Sequence, residues 1–394
     1  MKAVEIADKP YILTSIGHFT VELCSNFLPV LYPIYIATAG ITYSQVGILA
    51  FLYVFFASAT QPIFGFITDR WYPGRLAIIG VFWVGSLMGL IGFLNNFVAL
   101  AFLISLSALG SSIYHPSAAS ITSGPDPKIE GRAMAYFSIS GNLGAALSPL
   151  FIGILLRWFS LRSTIVLIPI SLLVGFSLLR FSLQNARVYA RVNDSPDITK
   201  PYNKKMLIVL GLILIGVMFR SWFYYSVQTY LPFWVNQLNN VNLSGENALF
   251  IIMFTVGLGS LIGGWLSDRI GPGMVMALGL GLLSPFYWLF LSPDIYSLYF
   301  SLIGMGVLVG FTFPTSIVLA QSAWPRSVGL VSALVIGLAW VPGGIGASVT
   351  GMIADKFSLE FSFNLLLIPP ILGAISIISA QILRSRFINR ISIT

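Results

Sequence analysis

Four ionisable side chains lie deep inside long apolar runs of this sequence: His18, Glu22, His115 and Arg220. Charged or ionisable groups are expensive in hydrocarbon, so those inside membrane segments mark ion or substrate pathways by default. His18 and Glu22 are four residues apart, which makes them neighbours on one face of a helix. An imidazole beside a carboxyl group is a pair that can exchange a proton. The sequence therefore predicts a proton-handling site on the first apolar run.

The polar residues of that run recur at helical spacing and form one stripe. They are Ser15, His18, Glu22, Ser25, Asn26 and Pro29. Lipid cannot hydrogen-bond such a stripe, so it faces the protein interior or a water-filled cavity. His115 lies at similar depth, and we expect Glu22, His18 and His115 to couple transport to protons. The alternative is a structural polar cluster, with His115 satisfied by a neighbouring carbonyl group.

Arg220 lies about fifteen residues into a later apolar run. A guanidinium group cannot shed its charge, so at that depth it needs a partner. Its fork geometry suits phosphonate, phosphate or carboxylate groups, which predicts an anion clamp. The alternative is a permanent ion pair with Glu22, and a substrate could also compete with Glu22 for Arg220. The full set of predicted substrate-binding residues is Arg220, His18, His115, Tyr224, Gln228, Ser111 and Thr312.

The elements that position these residues are membrane helices. Of the 394 residues, 57% are hydrophobic and only 9% are charged, against about 25% charged in soluble domains. Apolar runs of roughly 20 residues, enough to cross a bilayer, recur along the whole chain. The twelve predicted spans are 11–37, 43–67, 76–94, 97–120, 132–157, 163–182, 205–236, 246–266, 273–291, 295–320, 327–354 and 361–383. The first span is expected to be retained rather than cleaved as a signal peptide.

The distribution of basic residues predicts the orientation of the chain. With both termini inside, seventeen Lys and Arg residues fall on the inner side and three, Arg157, Arg162 and Lys356, on the outer side. Cytoplasmic loops carry the excess of Lys and Arg, so both termini are predicted to be cytoplasmic. The longest hydrophilic stretch, 183–204, is then a central cytoplasmic loop. It separates an N-terminal six-helix half, 1–182, from a C-terminal six-helix half, 205–394.

The two halves share landmarks at one offset. "GFITDRWYPGR" at 65–75 matches "GWLSDRIGPG" at 264–273, and "FSLRSTIVLIP" at 159–169 matches "FSLEFSFNLLLIP" at 357–369. Gly110 and Gly310 also lie 200 residues apart, in the fourth span of each half. The chain is therefore predicted to be a duplicated six-helix unit, and substrate sites in such folds lie near the midplane between the halves.

The Gly65-x-x-x-Asp69-Arg70 loop, with Gly74 and Arg75, resembles the signature loop of the major facilitator superfamily. "GNLGAALSPLFIG" in span five partly matches that superfamily's antiporter motif, with Ser148 in place of a glycine. Four further stretches resemble the fosmidomycin-resistance branch, in which the first-span acid is usually Asp rather than Glu22. They are "GHFTVE", "GSSIYHP" at 110–116, "RSWFYY" at 220–225 and "SVGLVSALVIGLAWVPGGIGASVTGMIAD" at 327–355.

This resemblance implies an all-α membrane protein with twelve helices in two pseudo-symmetric halves. It also implies alternating access and proton-coupled export of a small molecule, the type drug of the branch being a small phosphonate. The matched loops imply an inner gate made by Asp69, Arg70, Arg75, Asp268 and Arg269, the alternative being ordinary loop capping. The branch includes members of unknown substrate, so the resemblance speaks to fold and coupling more than to cargo.

Other classes of function find little support. The sequence has no G-x-x-x-x-G-K-[ST] nucleotide loop and no H-E-x-x-H pattern, and two histidines with one deep acid make a poor metal set. We expect no enzyme activity, no metal and no cofactor other than a proton gradient. The net charge of +8 falls in short loops, which argues against nucleic-acid binding. The expected partners are a small-molecule substrate, protons and membrane lipid, with the chain a monomer in a prokaryotic plasma membrane.

Three alternatives to export stay open. One is proton-coupled or facilitated uptake of a small organic anion, because the residues do not display a direction. A channel is a second alternative, although duplicated halves with gate motifs suit alternating access better. A membrane sensor built on a transporter fold is the third.

Overall fold

A computed structural model describes residues 10–68, 70–123, 127–184, 204–238, 242–292, 294–325, 331–332, 334–335 and 337–391. Helices make up nearly all of these residues, which confirms the predicted all-α class. The chain divides into two compact units, one of Met1–Gln45 with Leu52–Asn193 and one of Val46–Phe51 with Asp194–Thr394. The predicted domain limits at 182 and 205 stay a prediction.

The described residues of the N-terminal part of the chain form eight α-helices. They are α1 (Pro10–Leu23), α2 (Leu28–Ala39), α3 (Tyr43–Val54), α4 (Gln61–Thr68), α5 (Pro73–Leu90), α6 (Phe97–Ser123), α7 (Pro127–Trp158) and α8 (Leu167–Gln184). A π-helical turn, Phe55–Ala59, joins α3 to α4. Short 3₁₀-helices at Ile91–Phe93 and Leu161–Val166 follow α5 and precede α8.

Eight more α-helices are defined among the described residues of the C-terminal part. They are α9 (Lys204–Gln237), α10 (Gly245–Ile270), α11 (Pro272–Gly281), α12 (Leu283–Phe290), α13 (Ile295–Ala323), α14 (Val341–Lys356), α15 (Leu359–Leu365) and α16 (Ile368–Ile391). A 3₁₀-helix, Leu338–Trp340, precedes α14. Asp294 caps α13, because its Oδ2 accepts the Ser297 backbone N–H at 2.8 Å. That bond favours the ionised form and lowers the pKa of Asp294.

Eleven helical stretches in the described residues are long and apolar enough to cross a membrane. They are Tyr11–Ala39, Tyr43–Thr68, Pro73–Phe93, Phe97–Ser123, Gly131–Trp158, Leu161–Arg180, Met206–Gln237, Gly245–Ile270, Pro272–Phe290, Ile295–Ala323 and Leu359–Phe387. Each coincides with one predicted span. The remaining predicted span is 327–354. Some of its residues lie outside the described part, and the C-terminal portion of the span forms α14. The count of twelve and the cytoplasmic termini therefore stay predictions.

Large apolar side chains are exposed on the outer surfaces of the helices. Val98, Phe102, Leu173 and Trp288 are all about two-thirds or more exposed, at 74, 67, 69 and 70%. Soluble proteins rarely leave so many large apolar groups uncovered, whereas lipid covers them without cost. Many Ser and Thr residues are instead buried, and their hydroxyl groups bond to helix carbonyls or to one another. This distribution of exposed apolar and buried polar side chains fits a protein whose outer surface contacts lipid.

The two parts of the chain repeat one packing scheme. In the N-terminal part α1 packs on α7, α4 on α6, and α5 on both α6 and α8. In the C-terminal part α9 packs on α14, α10 on α13, and α11 on both α13 and α16. In predicted span numbers these are the pairs one–five, two–four, three–four and three–six of each half. The shared scheme is what a duplicated six-helix unit should show.

Several of the membrane stretches are not continuous α-helices, and two of the interruptions lie in the first two stretches. The first is interrupted at residues 24–27, directly after Leu23. There Ser25 Oγ donates to Val21 O at 2.6 Å, and Asn26 Nδ2 donates to Glu22 O at 3.0 Å. Such side-chain bonds compete with the helical backbone bonds. The second is the π-helical turn at Phe55–Ala59. Interruptions of this kind are frequent at functional sites.

Candidate functional site

The described structure brings His18, Glu22 and His115 into one cluster in the N-terminal part, here called the His–Glu cluster. His115 Nε2 lies 3.0 Å from Glu22 Oε1, and His18 Nε2 lies 3.7 Å from the same oxygen. The two imidazole rings meet edge to face with centroids 5.0 Å apart. The side chains are 13% (His18), 21% (Glu22) and 25% (His115) exposed, so the cluster is not sealed.

Each histidine is oriented by a backbone carbonyl. His18 Nδ1 lies 2.8 Å from Phe137 O in α7, and His115 Nδ1 lies 2.8 Å from Ser111 O in α6. A carbonyl oxygen only accepts, so each Nδ1 must carry the hydrogen. The other nitrogen, Nε2, then holds a lone pair when the ring is neutral. Both Nε2 atoms are directed toward Glu22.

This assignment has a chemical consequence for the contact between His115 and Glu22. A neutral His115 presents a lone pair at Nε2, and an ionised Glu22 presents lone pairs at Oε1. Two acceptors at 3.0 Å repel each other unless a proton lies between them. The contact therefore holds one proton, on His115 Nε2 or on Glu22 Oε1. The His–Glu cluster is chemically able to store a proton within the membrane stretch.

Neighbouring residues hold Glu22 and His18 in place. Asn26 Nδ2 donates to Glu22 Oε2 at 2.7 Å, which leaves Oε1 for the histidines. The Phe137 ring stacks on the His18 ring with centroids 4.0 Å apart. A side chain at Gly141 would overlap the His18 ring, and one at Gly144 would overlap the Phe19 carbonyl oxygen. These two glycines of α7 let α1 approach closely enough to place His18.

Ser148 has a role that its motif did not reveal. It occupies the position where a glycine was expected in "GNLGAALSP", and its Oγ donates to the Leu23 carbonyl at 2.6 Å. Leu23 is the last residue of α1, so this bond satisfies a carbonyl freed by the interruption of the helix. Phe137, Gly141 and Ser148 were not predicted as site residues. The small-residue motif around them was the signal that could have found them.

Arg220 forms a second site, in the C-terminal part. Its side chain is 1% exposed, and its Cζ lies 4.4 Å from the Phe313 ring centroid and 5.2 Å from that of Trp340. Nη2 donates to Ser221 Oγ at 3.2 Å. Nε and Nη1 are buried without a hydrogen-bond partner, and no carboxylate pairs with Arg220, within the part of the chain that the structure describes. The predicted pairing with Glu22 would join the two units and stays a prediction.

The other predicted substrate residues fall in two groups. Tyr224 contacts the rings of Phe313 and Trp340 and so borders Arg220. Ser111 Oγ lies 3.2 Å from His115 Nδ1. Gln228 Nε2 and Thr312 Oγ1 are used within the helical core instead, bonding to Met253 Sδ at 3.6 Å and Val309 O at 2.6 Å. Their roles as substrate contacts stay predictions.

Four of the predicted gate residues, Arg70, Arg75, Asp268 and Arg269, lie at or near helix ends. Asp69 falls outside the described residues. The guanidinium groups of Arg70, Arg75 and Arg269 lie over aromatic rings of Phe66, Tyr72 and Trp265, at 3.4, 4.9 and 3.8 Å from the ring centroids. Asp268 is exposed. A latch between halves is not tested by these positions and stays a prediction.

Repeated membrane helices around buried polar clusters define a helical membrane transport protein as the class to which the chain belongs. A sequence profile of the Major Facilitator Superfamily matches residues 14–335 and, in a second match, 246–390. The chain therefore belongs to the major facilitator superfamily. It is a transporter of small molecules and not an enzyme.

Three similar proteins place the chain further. The fosmidomycin resistance protein of Escherichia coli (strain K12) is 26% identical over 92% of this chain and 90% of its own length. The uncharacterized MFS-type transporter YfnC of Bacillus subtilis (strain 168) is 24% identical over 93% and 91%. The crystal structure of a bacterial homolog of the human lysosomal transporter Spinster, inward-facing and unoccupied, superposes with a TM-score of 0.80. That structure covers 97% of this chain and 98% of its own at 15% identity, which shows a shared fold.

Proposed function

We propose that the chain exports a small anionic or amphiphilic compound in exchange for protons, by alternating access. The observation that carries this proposal is the 3.0 Å contact between His115 Nε2 and Glu22 Oε1, with each histidine Nδ1 committed to a carbonyl. A group that must hold a proton, in a membrane stretch and partly exposed, is what a proton-coupled carrier needs.

Arg220 supports an anionic cargo. Its charge is permanent, and within the described residues two of its three nitrogens have no hydrogen-bond partner. Buried polar groups are normally paired, so these donors favour a ligand that brings acceptors. Phosphonate, phosphate and carboxylate groups match the guanidinium fork. The aromatic rings of Phe313, Trp340 and Tyr224 would hold the apolar part of an amphiphilic compound.

The direction of transport is supported by a relative. The Escherichia coli relative is a fosmidomycin resistance protein, and resistance to a drug fits its removal from the cell. We therefore propose that the present chain exports its substrate from a prokaryotic cell across the plasma membrane.

Proton coupling can be tested at Glu22. We expect Glu22→Gln to abolish transport driven by a pH gradient, because an amide cannot take up the proton that the cluster must hold. Purified full-length protein in proteoliposomes with an acidic lumen is offered labelled fosmidomycin or methylphosphonate. Wild type should accumulate the compound, and Glu22→Gln should fall to the level of protein-free vesicles. Exchange of labelled for unlabelled compound without a gradient should persist in the variant.

The matched control is Glu360→Gln, the same substitution at an exposed glutamate in α15. It should leave gradient-driven accumulation unchanged. Undiminished accumulation by Glu22→Gln would contradict proton coupling at this residue. Accumulation by wild type only with the opposite gradient would replace export by proton-coupled uptake.

A further inference from the structure

Three potential metal ligands converge at the His–Glu cluster. One ligand atom from each of His18, Glu22 and His115 lies within 4.8 Å of the other two. Ligand atoms about 2.0–2.2 Å from a tetrahedral zinc ion lie roughly 3.3–3.6 Å apart. The observed separations of 3.0 and 3.7 Å from Glu22 Oε1 bracket this range. The two separations from Glu22 Oε1 are therefore already close to those of a zinc site, and a bound ion would draw the two imidazole nitrogens toward each other.

The surroundings of the cluster resemble those of metal-binding histidines. Such a histidine almost always donates its second ring N–H to a carbonyl or carboxylate, which fixes the tautomer and aims the lone pair at the metal. His18 does this with Phe137 O and His115 with Ser111 O, both at 2.8 Å. Asn26 Nδ2 holds Glu22 Oε2 at 2.7 Å and leaves Oε1 for the ion. All three ligand atoms are thus oriented before any ion arrives.

The chemical types of the three ligands determine which metal ion the cluster would bind. Two imidazoles and one carboxylate suit zinc and its borderline neighbours rather than magnesium or calcium, which prefer oxygen ligands. Three protein ligands with a fourth position open is the usual arrangement of zinc sites that also bind water or substrate. The side chains are 13–25% exposed, so a fourth ligand can reach the ion. The sequence predicted no metal because it offers two histidines and one deep acid, but the fold gathers all three.

We propose that His18, Glu22 and His115 bind one zinc-class transition-metal ion through His18 Nε2, Glu22 Oε1 and His115 Nε2. Binding is an equilibrium property of the protein and needs no gradient. The ion would take the place of the proton held by the cluster. The proposal therefore stands separately from proton coupling, although both use the same atoms.

The test uses purified full-length protein, metal-free and with an affinity tag that contains no histidine. Calorimetric titration with Zn²⁺ should show one high-affinity ion per chain, and Co²⁺ should give the intense visible absorption of a tetrahedral complex. His18→Gln and His115→Gln should each weaken Zn²⁺ binding by at least about tenfold, the smallest loss seen for residues that merely support metal ligands. Because the chain has only two histidines, the double variant should lose the site and the Co²⁺ spectrum.

Two controls keep the test specific. Cys24→Ser should bind Zn²⁺ as wild type does, which excludes the one thiol, and Glu360→Gln should do the same for an exposed acid. Thermal unfolding of each variant without metal shows that it is folded. Zn²⁺ affinity of the double histidine variant equal to that of wild type would overturn the proposal. An octahedral Co²⁺ spectrum in wild type would overturn it as well.

Discussion

At the scale of single residues, Arg220 places a permanent positive charge in the helical core, where the residue is 1% exposed. Burying a guanidinium group without a counter-charge costs several kcal/mol after relaxation. The rings of Phe313 and Trp340 offset part of this, since a desolvated cation–π contact contributes about 2 kcal/mol or more. Within the described residues no acceptor reaches Nε and Nη1, and the proposed anionic cargo would supply one. The surroundings of Arg220 therefore support the proposal of an anionic cargo.

We predict that Arg220→Lys weakens binding of an anionic probe such as methylphosphonate by roughly 10–100-fold. The loss corresponds to one charged hydrogen bond of about 1.5–3 kcal/mol, because lysine keeps the charge but not the fork. Titration of purified protein with the probe, followed by isothermal calorimetry, measures the effect. Arg162→Lys, at an exposed arginine, is the control and should not change affinity. An equal loss for an uncharged probe would argue against an anion clamp.

The sequence was informative about the His–Glu cluster because spacing and depth are visible in it. The four-residue interval places His18 beside Glu22, and counting from the helix ends brings His115 to the same level. The supporting contacts were not visible. Asn26 holds Glu22 and Phe137 holds His18 through geometry that depends on an interrupted helix and on α7 packing. One polar or aromatic residue in an apolar run does not reveal such a partner.

At the scale of elements, the site depends on the close approach of α1 and α7. Gly141 and Gly144 leave the space that His18 and the Phe19 carbonyl occupy. We predict that Gly141→Ala displaces the His18 ring and destabilises the protein by about 1–3 kcal/mol, the usual cost of overpacking. Gradient-driven transport should fall with it. Thermal unfolding of the purified protein and vesicle transport measure the two effects.

Gly131→Ala is the matched control for this prediction, because Gly131 lies in the same helix with open space around it. Replacing a helical glycine by alanine there should raise stability by about 0.5–1 kcal/mol. If both variants raise stability alike, the space at Gly141 is not needed for His18. If Gly141→Ala unfolds at lower temperature but transports normally, the position of His18 does not matter for coupling.

The helices themselves could be predicted, but their interruptions could not. Long apolar runs located the eleven membrane stretches of the described chain within a few residues; the seventh was expected at 205–236 and is Lys204–Gln237. The ninth, expected as one helix over 273–291, is two, Pro272–Gly281 and Leu283–Phe290. Hydropathy reports how long a segment remains apolar. It does not report where side chains such as Ser25 and Asn26 bond back to the backbone.

At the scale of the whole molecule, the repeated packing scheme explains why a few repeated motifs were enough to predict the arrangement of the helices. The same helix pairs pack in both parts of the chain, so a landmark repeated about 200 residues later marks an equivalent place. The chemistry has nevertheless diverged. The N-terminal part carries the histidines and Glu22, and the C-terminal part carries Arg220 and its aromatic rings. The duplicated scaffold was thus readable from repeats, whereas the different polar sites had to be read residue by residue.

The predicted orientation can be tested on the whole chain with single cysteines in a Cys24→Ser background. Lys356 precedes the membrane stretch Leu359–Phe387, Arg386 lies at its C-terminal end, and both residues are exposed. With cytoplasmic termini, a membrane-impermeant maleimide added to intact cells should label Lys356→Cys at once and Arg386→Cys only after permeabilisation. Lys2→Cys should behave like Arg386→Cys, because an even number of spans puts both termini on one side. Wild-type Cys24, which is 1% exposed, serves as the unlabelled control.

Opposite labelling of Lys2→Cys and Arg386→Cys would contradict twelve spans, since an odd number of crossings is then required. Reversed labelling of Lys356→Cys and Arg386→Cys would show that the excess of basic residues does not set the orientation of this chain.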